Sequence, residues 1–402
     1  MSDARTISAR WVFPVAGPPI ENGRVTVRGT TIESVGPPES RAADEHLGNV
    51  ALIPGLVNPH THLDLSGAQG LIQPENYPHF TDWLKAVIAY RRTRTATETQ
   101  ADIRAGLQEC LRFGTTLVGD IAAEGQSWDA LSNEPTRAVV FRELIGLSPA
   151  RTEQVLQEAK DWNHKTPDTD LCRKGFSPHS PFSASAALIA GAGQLCKESN
   201  RPLAIHLAES AAETEFVYQR TGPFVQFLKD LNVWTEAGLV ADFSDAMVIG
   251  EVQQPMLFIH GNRLSPSTNV PNNGTIVYCP RTHAAFGHPP HPFREFLNRG
   301  IRVVLGTDSL ASNPDLDVLA EARYLRAKFS DLPGDVLLRM VTLSGAEALG
   351  WANETGSLEP GKSADLVVIP MPNLATSDPH DLLFASDLRH LPRRTMFRGT
   401  WQ

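Results

Sequence analysis

The sequence predicts an α/β chain: a distorted (β/α)8 barrel with a small composite β-sandwich assembled from both termini. Three observations lead there. Apolar, strand-like runs alternate with helical segments eight times through the middle of the chain. Short β-segments occupy both ends, where no long amphipathic helix fits. Histidines and carboxylates stand where the central runs finish. Length agrees, because 402 residues exceed the roughly 250 that one barrel requires.

At the N-terminal end, residues 6–11, 24–28 and 31–35 are rich in β-branched and apolar types. Turn-formers separate them at Pro18-Pro19, Asn22-Gly23, Gly29 and Pro37-Pro38. At the other end, residues 366–369 follow the turn Glu359-Pro-Gly-Lys362, and 395–399 is a second candidate strand. Segments this short cannot bury a core alone, so one domain drawn from both ends is the economical solution. The expected organisation is 1–53 and 356–402 in the sandwich, with 54–355 in the barrel.

The barrel strands are expected at 56–62, 116–122, 138–145, 175–179, 203–208, 256–260, 275–279 and 303–308. Helices are expected between them at 81–92, 98–113, 151–163, 184–199, 292–299 and 318–329. An open doubly wound sheet is the rival, but no Gly-rich phosphate turn follows the first strand. Residues 213–254 are long for one crossover, with an aromatic-bearing helix at 215–231 and a further segment at 233–249. They read either as a lid near the barrel mouth or as a plain helical embellishment.

Barrel enzymes build their sites where strands end. The first strand ends in Asn58-Pro-His-Thr-His-Leu-Asp64. His60 and His62 are two apart, so an extended strand points both to one face. The fourth strand ends at His179, the fifth at His206 with Glu209 three residues on, the sixth at His260, and the eighth at Asp308. Imidazoles plus a carboxylate are common ligands for zinc and iron, with bonds of about 2.0–2.2 Å. Taken singly, each residue has a plain structural reading: a satisfied core histidine, or a helix-capping carboxylate. Taken jointly, five strand ends carrying such groups point to a metal site. His79, His164, His288, His291, His380 and His390 lack that context and are expected at the surface or in loops.

Composition narrows the partners. A net charge of −9 argues against nucleic acid or an anionic membrane, since both require clustered positive charge. No run approaches eighteen apolar residues, and Met1 to Trp11 has no apolar core of a secretory signal. Four scattered cysteines form no CxxC pair. The expectation is a cytoplasmic enzyme with a small-molecule substrate.

Two stretches carry a family resemblance. Pro54-Gly-Leu-Val-Asn-Pro-His-Thr-His-Leu-Asp64 is similar to the opening signature of the amidohydrolase superfamily. Gly356-Ser-Leu-Glu-Pro-Gly-Lys-Ser-Ala-Asp-Leu-Val-Val-Ile369 resembles its return to the small β-domain. Within the superfamily the chain resembles the one-metal cytosine/adenosine-type aminohydrolases. These include S-adenosylhomocysteine, aminodeoxyfutalosine and guanine deaminases and triazine hydrolases.

The resemblance implies His60, His62, His206 and Asp308 as ligands of one divalent metal, zinc with iron as the alternative. It implies Glu209 as proton shuttle, and catalytic roles for His260 and Asp308 beside the attacking water. It implies a heterocycle contact for His179. Two-metal members carry a carboxylated lysine at the end of strand four; here Lys174 is expected before that strand, so one metal is favoured. His283 stands where relatives often have Asn, either as a pocket-rim residue or as a loop-stabilising one. The resemblance also implies a homo-oligomer, although no interface motif is visible.

Substrate contacts are read from the residues. Phe80, Trp83 and Phe286 are candidates for stacking a flat ring, with helix packing the rival for Trp83. Arg142 and Glu143 are candidates for a ribose or a carboxylated tail, with a structural ion pair the rival. Arg281 is a candidate for an acidic substituent. The expected reaction is hydrolytic deamination of an adenosine-like nucleoside, with 6-amino-6-deoxyfutalosine the favoured example. A triazine chlorohydrolase or aminohydrolase, a guanine deaminase and a non-catalytic barrel scaffold are the alternatives.

Overall fold

The computed structural model describes residues 3–165, 167–247, 253–385 and 392–402. Eight strands form one sheet in chain order. They are β1 (Leu56–Thr61), β2 (Thr115–Ala123), β3 (Arg137–Leu144), β4 (Cys172–Pro178), β5 (Leu203–Leu207), β6 (Met256–His260), β7 (Gly274–Tyr278) and β8 (Arg302–Leu305). Neighbours from β3 to β8 pair in parallel. The two ends of the order meet where the Asp308 N–H donates to the His60 carbonyl at 3.1 Å. All residues of β1, β5, β6 and β7 are buried. Parallel strands covered on both faces demand apolar runs of this type, which is why all eight are legible in the sequence.

The helices expected between strands are present as Phe80–Thr93, Ala96–Arg112, Pro149–Lys165, Ala186–Ser199, Phe293–Asn298 and Val318–Lys328. The expected single helix at 215–231 is instead two, Ala211–Gln219 and Pro223–Asp230. Arg220 and Gly222 take left-handed φ values of 59° and 87°, and Pro223 lacks the N–H to continue a ladder. Beyond them lies a short helix, Phe243–Met247. Residues 233–242 carry no helix, and residues 248–249 of the 233–249 expectation, with His390, lie outside the described residues.

The chain ends form two further sheets, one of them shared between both ends. One contains Val50–Pro54 paired antiparallel with Leu366–Pro370, which joins N-terminal to C-terminal sequence directly. The other contains Ala4–Ser8, Arg24–Arg28, Thr31–Gly36 and Glu45–His46. Ile7, Val25, Ile32, Leu52, Leu366 and Met396 share one core there. The expected strand at 6–11 is two strands in different sheets, Ala4–Ser8 and Trp11–Val12. The expected strand at 395–399 is a hairpin, Arg394–Phe397 and Thr400–Trp401. Arg398 and Gly399 form its turn at φ 48° and 79°, values that suit a two-residue hairpin. Val50–Pro54 is absent from the expected strands, because its short apolar run lies against the barrel signature.

The chain divides into two compact units, Met1–Pro59 with Leu107–Val118 and Leu316–Gln402, and His60–Gly106 with Gly119–Asp315. Among the described residues no helix is long and apolar enough to cross a membrane.

Candidate active site

The predicted strand-end residues converge within the second unit. The His60 ring centroid lies 5.0 Å from those of His62 and His206 and 5.6 Å from that of His260. His62 and His206 stack at 5.2 Å, with their Nε2 atoms 3.2 Å apart. Asp308 Oδ1 lies 3.4 Å from His60 Nε2 and 3.8 Å from His62 Nε2. One donor atom each from His60, His62 and His206 falls within a mutual 4.8 Å, and so does one each from His60, His260 and Asp308.

Backbone conformation aims these groups. Leu207 pairs with His260 in the β5–β6 register, while His206 pairs with Ile259. Alternation alone would therefore put His206 and His260 on opposite faces. His260 has φ 68°. Rotation about N–Cα swings its side chain back toward His206, 5.6 Å away between rings. Ala208 and Asp308 share the left-handed region, at 55° and 64°. Such conformations cost about 1 kcal/mol or more each in a non-glycine residue, and they concentrate at functional sites.

A second layer holds the first. The His206 Nδ1–H donates to the His179 carbonyl at 3.1 Å, which leaves Nε2 with its lone pair facing the cluster. The His291 Nε2–H donates to the His260 carbonyl at 2.8 Å. Asp308 accepts from the Ser309 N–H at 2.8 Å and the Ser312 hydroxyl at 3.0 Å. Asp120 accepts from Thr61 and from the Leu63 N–H, both at 2.9 Å, and so fixes the turn after β1. Glu213 accepts from the Glu209 N–H at 2.7 Å and the Ala208 N–H at 3.2 Å. Ser210 caps the same helix.

Burial sets the protonation states. Desolvation, then neighbouring imidazoles, drives His62 and His206 well below the usual histidine range. Desolvation pushes His260 down to about 3. Desolvation, then the Asp308 and Glu213 carboxylates, holds Glu209 well above the usual carboxylate range. Burial alone would raise Asp308 too, but His60, His260 and His62 outweigh it and hold that carboxyl below its ordinary value. Burial thus favours the neutral forms of His62, His206, His260 and Glu209, whose Oε1 lies 3.4 Å from His260 Nε2.

The donor set fits a cation. Both ring nitrogens of His60 are buried without a hydrogen-bond partner, a costly arrangement for polar atoms unless something else satisfies them. Neutral nitrogen donors beside one carboxylate suit a borderline metal such as zinc.

A cavity of about 460 Å³ opens beside the cluster, with Arg91, Glu143 and His179 on its floor. Arg91 pairs with Asp64 at 2.8 Å, faces Glu143 at 3.7 Å and approaches His62 Nδ1 at 3.5 Å. His179 lies 3.8 Å from Glu143 and 2.6 Å from the Ser183 hydroxyl. Residues 231–235 and helix Pro223–Asp230 supply the far wall, so the extra segment borders the mouth.

Not every candidate reaches the site. Arg142 points to the outer face, where it meets the Glu124 carbonyl, Glu158 and the Trp162 ring. Alternation along β3 puts Glu143 inside and Arg142 outside. The Trp83 indole donates to the Ala311 carbonyl at 3.1 Å and packs on Phe80 and Phe286, away from the cavity lining. Arg281 is bound to Asp315 at 2.7 Å. His283 bonds the Pro289 carbonyl at 2.8 Å. Lys174 lies within β4, not before it, and its Nζ donates to the Asn163 carbonyl at 2.7 Å beside two indoles. His291 lies in a loop, as expected, but is buried, and His380 is buried in the helix Pro379–Leu383.

Sequence reasoning missed Arg91, Asp120 and Glu213. Glu213 had a signal, because Ser210-Ala-Ala-Glu213 has the form of a capping box. Asp120 had a signal too, as a carboxylate inside the expected apolar strand 116–122, whereas nothing in its local sequence separates Arg91 from a solvated charge.

Residues 51–400 match the model of the amidohydrolase family. The chain belongs to that family. This amidohydrolase is 26% identical over 357 residues to an aminodeoxyfutalosine deaminase of a Nitratiruptor species, covering 86% of this chain and 85% of the relative. It is 29% identical over 399 residues to a 5-methylthioadenosine/S-adenosylhomocysteine deaminase of Moorella thermoacetica, covering 92% and 86%. Its fold superposes with TM-score 0.84 on Helicobacter pylori aminofutalosine deaminase in complex with methylthio-coformycin. That match has 22% identity and covers 99% of this chain and 100% of the other.

Proposed function

We propose that this amidohydrolase is a one-metal hydrolytic deaminase that replaces the amino group of an adenosine-like nucleoside by oxygen and releases ammonia. The observation that carries the reading is the meeting of three imidazoles and one carboxylate beside Glu209, whose Oε1 lies 3.4 Å from His260 Nε2. His60, His62, His206 and Asp308 would hold the cation, zinc being the first to test and iron the alternative that the same donor set suits. The relatives' names support the substrate class, with aminodeoxyfutalosine and 5′-methylthioadenosine as the first compounds to assay.

When bound, the cation supplies a Lewis acid that makes water a nucleophile near neutral pH. Glu209, uncharged, gives its proton to the ring nitrogen next to the amino-bearing carbon and raises that carbon's electrophilicity. Asp308, ionised and oriented by Ser309 and Ser312, takes the proton that water loses. Neutral His260 presents an N–H to the oxygen that adds to the ring. Glu209, now a carboxylate, takes the proton of the added hydroxyl as the C=O forms and hands it to the departing amine, and the proton held by Asp308 returns to Glu209. One water is consumed and one ammonia leaves. Glu143 and His179 meet the sugar at the cavity floor. All four cysteines are buried, which supports a reducing, cytoplasmic setting.

The test is ammonia release from a panel of nucleosides, nucleobases and triazines on metal-quantified enzyme. Turnover of adenine nucleosides is expected. Chloride release from a triazine without nucleoside turnover would refute the proposal.

A further inference from the structure

We propose that the corner where the chain crosses between the two terminal sheets binds a phosphate-type oxyanion, at a site separate from the metal cluster. Three times the chain passes from one of these sheets to the other, at residues 9–10, 22–23 and 47–49. The crossings bond to one another. The Ala9 N–H donates to the Gly23 carbonyl at 3.2 Å, the Asn22 N–H to the Arg10 carbonyl at 2.7 Å, and the Arg10 N–H to the Gly48 carbonyl at 3.0 Å. A cavity of about 470 Å³ opens at this corner, with Ser8, Arg10, Asn22, Arg24, His46 and Asn373 among its walls. All of its walls belong to the first compact unit, whereas His60, His62, His206, His260 and Asp308 belong to the second. Walls tied together through their backbones are fixed before a ligand arrives, which lowers the cost of binding.

Charge and hydrogen bonding identify the ligand class. No carboxylate lines the cavity. Arg10 Nη1 donates to Asn49 Oδ1 at 2.9 Å and to the Pro372 carbonyl at 3.2 Å, and Nη2 donates to the Leu374 carbonyl at 2.8 Å. Arg24 Nη1 donates to the Arg41 carbonyl, and Arg24 Nε is buried without a hydrogen-bond partner. Every one of these acceptors is uncharged, so both guanidinium groups are anchored with their positive charge uncancelled. Two carboxylates nearby in sequence are committed elsewhere: Asp44 accepts from the Thr6 N–H at 2.8 Å, and Glu45 faces Arg394 at 3.3 Å. Like charges fixed in one cavity oppose each other, and a dianion offsets both at once. Planar guanidinium forks match the paired oxygens of a phosphate. His46 adds a further donor, because the Ser8 hydroxyl lies 2.9 Å from Nδ1 and, donating there, leaves the ring proton on Nε2. The volume exceeds that of one phosphate and lies in the range of small-molecule sites, about 300–1,000 Å³, so a phosphomonoester fits as well as the free ion.

The experiment is isothermal titration calorimetry of the full-length, metal-loaded protein with inorganic phosphate, ribose 5-phosphate and ribose, at low ionic strength, where screening is weak. Both phosphates are expected to bind at one site per chain, and ribose is expected to give no heat. Tighter binding of ribose 5-phosphate marks an organic phosphate as the ligand; tighter binding of inorganic phosphate marks the free ion. Arg24→Gln should weaken both by about tenfold or more, and Arg24→Lys, which keeps the charge and loses the fork, should recover only part of that loss. His46→Gln, at an exposed position that leaves the fold intact, should weaken both by about threefold. Arg41→Ala should change nothing, because Arg24 meets the Arg41 carbonyl and not its side chain. No binding of either phosphate, binding that Arg24→Gln and His46→Gln leave unmoved, or binding that disappears when a chelator strips the metal each overturns the proposal, the last by placing the anion on the cation.

Discussion

Replacing Glu213 tests how this site is aimed. Its carboxylate is 1% exposed and accepts from two backbone N–H groups, those of Ala208 and Glu209. Ala208 holds a left-handed φ of 55°, so these two bonds secure the turn that presents Glu209. Glu213→Ala orphans both donors at about 1–2 kcal/mol each, a loss of about 2–4 kcal/mol. Release of Glu209 from its position should cost about 100-fold in kcat.

Protonation adds a second signature. Desolvation by burial raises Glu213 from its ordinary value of 4.5 to about 7. A folded-state pKa above the unfolded one means its stabilising contribution is complete below pH 4.5 and is lost as pH rises through about 7. The loss is roughly 3 kcal/mol at about 1.4 kcal/mol per pH unit. Glu213→Gln should flatten that part of the stability–pH curve while retaining one acceptor. Denaturant unfolding between pH 4 and pH 8, with ammonia release and metal content measured on the same samples, reads all three effects. A Glu213→Ala variant within about 0.5 kcal/mol of wild type and with unaltered kcat would refute the reasoning.

Glu209→Gln should retain its metal by elemental analysis and lose about 10²–10⁴ in turnover; full activity would remove Glu209 from the proton path. His206→Ala should lose the metal, and normal stoichiometry would defeat its assignment as a ligand. Arg91→Met leaves Asp64 and Glu143 without their guanidinium partner, so KM should rise more than kcat falls, by about tenfold. Arg142→Ala should change kcat/KM by less than about threefold, because its guanidinium faces Glu158 and Trp162 outside the barrel.

The amino-acid sequence alone determined the barrel, its strand order and the ends that carry chemistry. Those features are written in local signals: apolar runs long enough to be buried on both faces, and polar residues where each run stops. His60 and His62 declared a shared face by their spacing alone. The two-ended β-domain was legible as an idea, but its central pairing of Val50–Pro54 with Leu366–Pro370 joins segments more than 300 residues apart, and no local pattern encodes that register.

Only the tertiary structure decided which neighbour on a strand faces inward. Arg142 and Glu143 are adjacent and equally polar, and the pleat sends one outside and the other to the cavity floor. Only the fold turned His260 toward His206, through a positive φ that its sequence does not announce. Arg91, Asp120 and Glu213 acquire their roles from what surrounds them, because a charge has a function only once water has been excluded and its partner brought within reach. Sequence specifies the chemical groups. Burial and distance, which exist only after folding, determine which of them are protonated and which can act together.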